Sequence, residues 1–191
     1  MQQQMGVAEP DFGVLLDDMR VPEAGTMYID QFLQPRIEAE VILVLGRDLG
    51  AGTTTADVLA ATAYACPSLE IIDSRIRDWR LTLIDTVADN ASSGAFVMGG
   101  GVAIDGLDLT KIEVVLHVNG AEVARGVGSA ALGHPAAAAA WLANRLEDFG
   151  LVFGAGAIVM TGSLHASVPV ARGDDIVADF GVLGSARVSV R

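Results

Sequence analysis

Two acids, Glu38 and Glu40, stand where the run from Gln34 to Gly46 passes from polar residues into the apolar stretch Val41-Ile42-Leu43-Val44-Leu45. Residues two apart on a strand point the same way, about 6.6 Å apart along the chain. Exposed, the pair would be a solvated edge. Beside a core stretch, two such carboxylates repel each other unless a cation sits between them, and hard oxygen ligands suit a divalent ion such as Mg²⁺ or Mn²⁺. A third acid, Glu70, lies among Leu69, Ile71 and Ile72. An unpaired carboxylate there would cost several kcal/mol or take up a proton. Two readings stay open: a salt bridge to Arg36 or Arg75, or a third metal ligand with Glu38 and Glu40.

Ser163 and His165, in Thr161-Gly162-Ser163-Leu164-His165, offer a nucleophile and a base, but the flanks lack the Gly-x-Ser-x-Gly elbow of a serine hydrolase. The preferred reading is that backbone N–H groups and the Ser163 hydroxyl receive a substrate carboxylate or carbonyl. The blander one is a strand-to-loop turn. Gly126-Val127-Gly128 resembles a degenerate dinucleotide fingerprint, yet it follows the return arm of a hairpin and no helix opens at its glycines. Lys111, the single lysine, reads as a solvated charge at a strand start rather than a Schiff-base residue. His117 reads as a core or edge residue and His134, before Pro135, as a helix cap.

The elements that must position these groups are short. A turn signal leads into a strand-like run over residues 8–19. A polar loop over Arg20–Thr26 and a short helical or irregular segment over Met27–Leu33 precede the Glu38/Glu40 strand. Thr54 or Thr55 caps a helix expected to reach about Ala65 and to be stopped by Pro67. Ser68–Asp73 reads as a buried strand, after which Asp73 or Ser74 caps a short helix through Trp79. Asp85 opens another capped helical turn, closed by Gly94, and Ala95–Met98 forms a strand. Asn119-Gly120 joins Ile112–Val118 and Ala121–Val127 in a hairpin. Pro135 begins a helix to Phe149 with Ala138, Trp141, Leu142, Leu146 and Phe149 along its apolar side. Short strands follow at Ala157–Thr161, Val168–Val170, Asp175–Phe180 and Ala186–Val190. Strands outnumber helices and do not alternate with them, which predicts an α+β fold with a mixed or antiparallel β core.

Over 191 residues the formal net charge is −12 and the pI about 4.4, the wrong sign for nucleic acid or anionic membranes. The mean hydropathy of +0.45 comes from alanine and glycine, and no run of 18 apolar residues exists. The first residues carry neither a cationic nor an apolar signal region. A single cysteine, Cys66, excludes a disulfide framework and suits a reducing cytoplasm.

Several blocks resemble the 2-hydroxypenta-2,4-dienoate (2-oxopent-4-enoate) hydratases of the fumarylacetoacetate hydrolase superfamily. They are Glu9-Pro10-Asp11-Phe12-Gly13 through Met19, Gln34-Pro35-Arg36-Ile37-Glu38-Ala39-Glu40, Leu69-Glu70-Ile71-Ile72-Asp73-Ser74-Arg75-Ile76, Asp85 through Ser93, and Gly133-His134-Pro135 leading to Trp141-Leu142-Ala143-Asn144. The resemblance covers essentially the whole chain, read as one catalytic domain. It implies an α+β fold around a mixed β-roll or sandwich with a few peripheral helices, and a divalent metal, Mg²⁺ or Mn²⁺, on Glu38, Glu40 and Glu70. It makes Asp11 an acid/base candidate on a mobile segment, and Asp85, Gly162 and Ser163 substrate contacts. The expected substrate is a small anionic 2-hydroxydienoate of aromatic meta-cleavage catabolism, hydrated to 4-hydroxy-2-oxopentanoate. The expected assembly is a homo-oligomer, associated with a pathway aldolase or decarboxylase. Family members carry an N-terminal segment with an active-site lysine upstream of the point where this sequence opens, so the expectation is a chain that binds metal yet turns over poorly without it. The alternatives are 4-oxalocrotonate (2-oxo-3-enedioate) decarboxylase and a truncated, non-catalytic subunit. A carbon–carbon hydrolase fits less well, for want of a His–Glu pair to activate water.

Overall fold

The β-branched run around Glu38 and Glu40 folds as the long strand its composition requires, and neighbouring strands are laid against it in a computed structural model describing residues 10–191. Residues 1–9, including Glu9 of the first motif and most of the turn signal before it, lie outside the described residues. In chain order the strands and helices are β1 (Arg20–Val21), β2 (Gly25–Met27), β3 (Arg36–Leu45), α1 (Thr55–Ala61), β4 (Thr62–Ile72), α2 (Leu83–Ala88), β5 (Ser93–Met98), β6 (Glu113–Val118), β7 (Ala121–Val127), α3 (Pro135–Glu147), β8 (Ile158–Met160), β9 (Val168–Pro169), β10 (Asp175–Asp179) and β11 (Ser185–Val190). Among the described residues they make two sheets. One runs β1-β5-β4-β3-β8, with β9 also on β3; the other runs β2-β11-β10-β6-β7. The β1–β5 and β2–β11 pairs are parallel and the remainder antiparallel, so the core is mixed, as expected.

The strands carry two faces because side chains alternate. Ile37, Ala39, Val41, Leu43 and Leu45 of β3, with Leu69 and Ile71 of β4, enter the main core against Leu116, Ile176, Ala178 and Val188 of the second sheet. Each fully buried Val, Leu or Ile among them contributes about 1.5–3 kcal/mol of transfer free energy. The other face of β3 presents Glu38, Glu40, Ile42 and Val44. Ile42 and Val44 join Met19, Cys66 and Phe96 in a small separate apolar cluster.

Four local expectations are corrected. α1 stops at Ala61, and Thr62 begins β4, which runs straight through Pro67. The pairing of residues 62–72 with β3 outweighs the helix propensity of the alanines. Pro67 fits because its carbonyl accepts from Gly99 N–H, so its missing N–H points toward the place where the β5 ladder has ended. Residues 20–27 hold two short strands rather than a polar loop. Asp73 caps no helix; its carboxylate accepts from the N–H groups of Leu33 and Gln34 at 2.7–3.1 Å, and only a 3₁₀ turn, Arg77–Trp79, follows.

α3 turns the other way from its larger side chains. Its buried residues are Pro135, Ala136, Ala139, Ala140 and Ala143, while Phe149 is 58% exposed. Small side chains allow a close approach to α1 and the sheet, and the aromatic side is met by Phe12, whose ring lies 6.1 Å from those of Trp141 and Phe149. The His134 ring does cap α3, its Nδ1 accepting from Ala136 N–H at 2.9 Å. The hairpin turn follows the expected chemistry, with positive φ at Asn119 (53°) and Gly120 (79°). No helix among the described residues is long and apolar enough to cross a membrane.

The reversed face of α3 gives a direct check. Ala139→Leu should destabilise the protein by about 1–3 kcal/mol through overpacking, and Glu147→Ala on the exposed side should change stability by less than about 0.5 kcal/mol. Urea unfolding of the two variants reads both.

Candidate metal centre

Register brings the three acids together. In the antiparallel β3–β4 ladder Glu38 stands directly opposite Glu70, and Glu40 is opposite Ser68, one same-face step along. Glu70 in turn faces Phe96 of β5. One carboxylate oxygen from each of Glu38, Glu40 and Glu70 lies within 4.8 Å of the other two. Glu38 and Glu40 are 3% and 2% exposed, and Glu70 is partly exposed.

Neither arginine proposed as a salt-bridge partner for Glu70 reaches it. Arg36 donates to Ser167, through Nε to Oγ (2.7 Å) and through a terminal nitrogen to the carbonyl (2.6 Å). Arg75 pairs with Asp89 at 3.2 Å. Among the described residues, no Lys, Arg or His forms an ion pair with the trio. The salt-bridge reading is therefore corrected, and the three acids form a cluster that could hold a divalent metal.

Burial is the main force on these carboxyls. It raises Glu38 to about 8, with the charge of Glu70 next in effect and that of Asp11 adding to it. Glu40 is pushed well up by burial and by the charges of Glu70 and Glu38, against the opposing hydrogen bond from Gly162 N–H. Glu70 is also raised by burial; hydrogen bonding to Ser93 and to Glu40 works against that rise, and Asp11 adds to it.

The donor set fits a hard divalent cation. Oxygens bound to one ion at about 2.0–2.6 Å lie no more than about 4–5 Å apart, so the observed span closes on one ion with little movement. A dication replaces the protons these groups otherwise hold and cancels the repulsion among them.

The remaining predicted residues divide. Asp11 comes close enough to raise both Glu38 and Glu70, and its Oδ2 is buried without a hydrogen-bond partner. Its segment is tied down just downstream, where the Asn90 side chain accepts from Val14 N–H (2.7 Å) and donates to Val14 C=O (3.0 Å). Gly162 lies at the cluster, but its N–H donates to Glu40 Oε2 at 2.9 Å, so it holds a ligand instead of offering a free donor to substrate. The Ser163 hydroxyl donates to the His165 carbonyl at 2.5 Å. Asp85 is the N-terminal partner of α2: its carboxylate accepts from the Thr82 N–H and hydroxyl, both at 2.8 Å, and those bonds hold its pKa down. That is a capping role, and both bonds go to one oxygen, Oδ2. Sequence reasoning missed Asn90 as the tether of the Asp11 segment, and no local pattern around it marks that role. The fingerprint-like Gly126 is explained by packing, since a Cβ there would fall 2.1 Å from the Leu164 carbonyl oxygen.

With fold and site in view, comparison with known proteins defines the class. The family described as fumarylacetoacetate (FAA) hydrolase C-terminal matches residues 9–191, and the chain belongs to that family. It is 46% identical to the 2-keto-4-pentenoate hydratase of Paraburkholderia phymatum over 191 residues, which is 99% of this chain and 73% of that protein. It is 45% identical to the 2-hydroxyhexa-2,4-dienoate hydratase of Comamonas testosteroni over 178 residues, 91% of this chain and 67% of the relative. The solved 4-oxalocrotonate decarboxylase from Pseudomonas putida G7, complexed with magnesium and adipate, superposes with a TM-score of 0.95 at 40% identity, covering all of this chain and 73% of that one.

The pKa directions set a sign for stability. A glutamate whose folded-state pKa lies above its ordinary 4.5 binds more protons folded than unfolded between those values, so stability falls as pH rises through that window. In excess EDTA the protein should lose stability steadily from about pH 4.5 to about pH 8. Saturating Mg²⁺ should flatten or reverse that trend, because the metal binds the deprotonated trio. Urea midpoints across this range, with and without metal, provide the check.

Proposed function

We propose that this protein is a metal-dependent hydratase, one catalytic domain of a meta-cleavage route for aromatic compounds, adding water to 2-hydroxypenta-2,4-dienoate to give 4-hydroxy-2-oxopentanoate. The observation that carries the reading is the trio Glu38, Glu40 and Glu70, two buried acids and one partly exposed, with a carboxylate oxygen from each within 4.8 Å and no protein cation paired to them among the described residues. The names of the two hydratase relatives supply the substrate class.

A Mg²⁺ or Mn²⁺ ion held by Glu38, Glu40 and Glu70 would supply positive charge for a small 2-oxo acid anion and Lewis-acid polarisation at its 2-oxygen. That charge answers a practical problem, since a protein of net charge −12 otherwise repels such a substrate. Asp11 is the residue placed to move protons: its unpartnered Oδ2 takes the proton from the 2-hydroxyl and returns one at C5. The product of that shift, 2-oxopent-3-enoate, has its double bond conjugated with the ketone and is electrophilic at C4. Water oxygen then bonds to C4 and a proton is delivered to C3, which balances the overall addition of one water. Gly162 serves by fixing Glu40, and Ser163 by fixing the turn that carries Gly162. The reading includes a cytoplasmic setting and a homo-oligomer working beside a pathway aldolase or decarboxylase, on family likeness alone.

A second reading, 4-oxalocrotonate decarboxylase, is favoured by the solved structure with TM-score 0.95. It shares the dienolate chemistry but releases CO₂.

Loss of dienoate absorbance without CO₂ release is the expected outcome, abolished by EDTA and restored by Mn²⁺ or Mg²⁺. Full activity in excess EDTA defeats the scheme, and stoichiometric CO₂ from 4-oxalocrotonate selects the decarboxylase. Asp11→Asn should lower kcat by about 10²–10⁴ and leave Mn²⁺ binding in place. Mn²⁺ binding without turnover of either substrate would favour a non-catalytic subunit.

A further inference from the structure

The second edge of β3 is incomplete where it matters. β8 pairs with residues 42–44 and β9 with residues 36–37, so no strand covers Glu38 to Val41 on that side. The loop from Thr161 to His165 fills the gap. Thr161 N–H donates to Val41 C=O (3.2 Å) and Leu164 N–H to Ala39 C=O (3.0 Å). The Ala39 N–H, belonging to a residue with no exposed surface, finds a side chain in place of a backbone carbonyl: it donates to Nε2 of His165 at 3.1 Å. Nδ1 of the same ring lies 2.9 Å from the carbonyl oxygen of Ala166, an acceptor only. The two contacts together require the neutral ring with its proton on Nδ1, and burial favours that neutral form.

Ala39 is the residue between two of the three acids, and the same loop holds Glu40 directly through Gly162 N–H at 2.9 Å. The loop has a firm backing, because β7 approaches at Gly126 so closely that any Cβ would strike the Leu164 carbonyl oxygen. We propose that His165 is a positioning residue for the acidic cluster: its imidazole completes the open edge of β3 at Ala39 and thereby fixes the separation and aim of Glu38 and Glu40. The role needs a neutral acceptor at the reach of Nε2, and no contact with substrate. It explains a histidine in the Thr-Gly-Ser-Leu-His run without a hydrolase triad.

The consequence for metal binding rests on the reading of the trio as a metal centre, but the first test does not. In ¹⁵N-labelled protein, a scalar coupling across the hydrogen bond between the Ala39 amide nitrogen and His165 Nε2 is expected, with ring nitrogen shifts of an Nδ1-protonated imidazole. Mn²⁺ affinity, read by electron paramagnetic resonance of the free ion, should fall on the order of tenfold in His165→Leu, as for other partners that orient metal ligands. His165→Gln, whose amide oxygen reaches the Nε2 position, should recover most of that loss. Absence of the coupling in the unmodified protein, or a folded His165→Leu variant with unchanged Mn²⁺ affinity, overturns the proposal. If His165→Leu does not fold, the coupling and the Gln variant decide. A coupling seen in a chain that binds no Mn²⁺ upholds the His165–Ala39 bond and sinks the metal reading instead.

Discussion

Three carboxylates buried side by side are the constraint around which the rest of this structure is arranged. Two unit charges 4.8 Å apart repel by about 3.5 kcal/mol even at an effective dielectric of about 20, and the trio has three such pairs. Desolvation adds to that cost. A fold that retains such a cluster has two ways to relieve it, protons or a cation. The raised pKa values of Glu38, Glu40 and Glu70 describe the first, and in the proposed reading a divalent ion would supply the second by displacing those protons. In the proposed reading the protein gives up stability in the metal-free state in exchange for a site that a dication could fill.

The sheet supplies the rigidity that such a site needs. β3 is paired with β4 over its whole length, and the odd-numbered side chains of β3 are locked in the main core. Because the side-chain period is two, fixing Ile37, Ala39 and Val41 inward fixes Glu38 and Glu40 outward, and a slip of one residue would send both acids into the apolar core. Ser68 adds a further restraint at this level, its hydroxyl donating to the Glu40 carbonyl at 2.8 Å. The three acids thus sit on a strand pair whose register is fixed along the whole of β3. The proton-handling candidate, Asp11, sits instead on an irregular segment held by a few contacts at Asn90 and Phe12. Fixed ligands with a more loosely held acid suit a reaction in which substrate must enter before protons move.

Much of this was legible in the sequence because it depends on local alternation. The Glu38/Glu40 strand, the acid in the middle of Leu69–Ile72, the Asn119-Gly120 hairpin and the strand-rich α+β class all follow from patterns within a dozen residues. Carboxylates beside aliphatic runs are costly, which is what marks these acids, and no arginine forms an ion pair with them among the described residues. What the sequence hid depends on partners far along the chain. Asp73 looked like a helix cap until residues 33 and 34 took its oxygens, and Pro67 looked like a helix stop until β3 and β5 enclosed it. The side of α3 that enters the core was misjudged because size was taken to mean burial. In a crowded contact alanine is the residue that fits, and Trp141 and Phe149 cover the surface with Phe12.

Asp85 and Gly162 carry the more general point about sites. A family motif marks which residues stand near one another in sequence, but a residue's chemistry depends on what its polar atoms already hold. Asp85 has one oxygen, Oδ2, committed to Thr82, and Gly162 has its N–H on Glu40, so each already holds a structural partner. Asp11 is the opposite case, a carboxylate beside two other acids with one buried oxygen left without a partner. An unsatisfied buried acceptor is costly, and it persists where the missing partner arrives with a ligand. On that ground the proposed proton-transfer role is given to Asp11, an acid near the trio that among the described residues neither belongs to the proposed ligand set nor caps a helix, and in that proposal the hydroxyl of the incoming dienol is the donor that its free oxygen lacks.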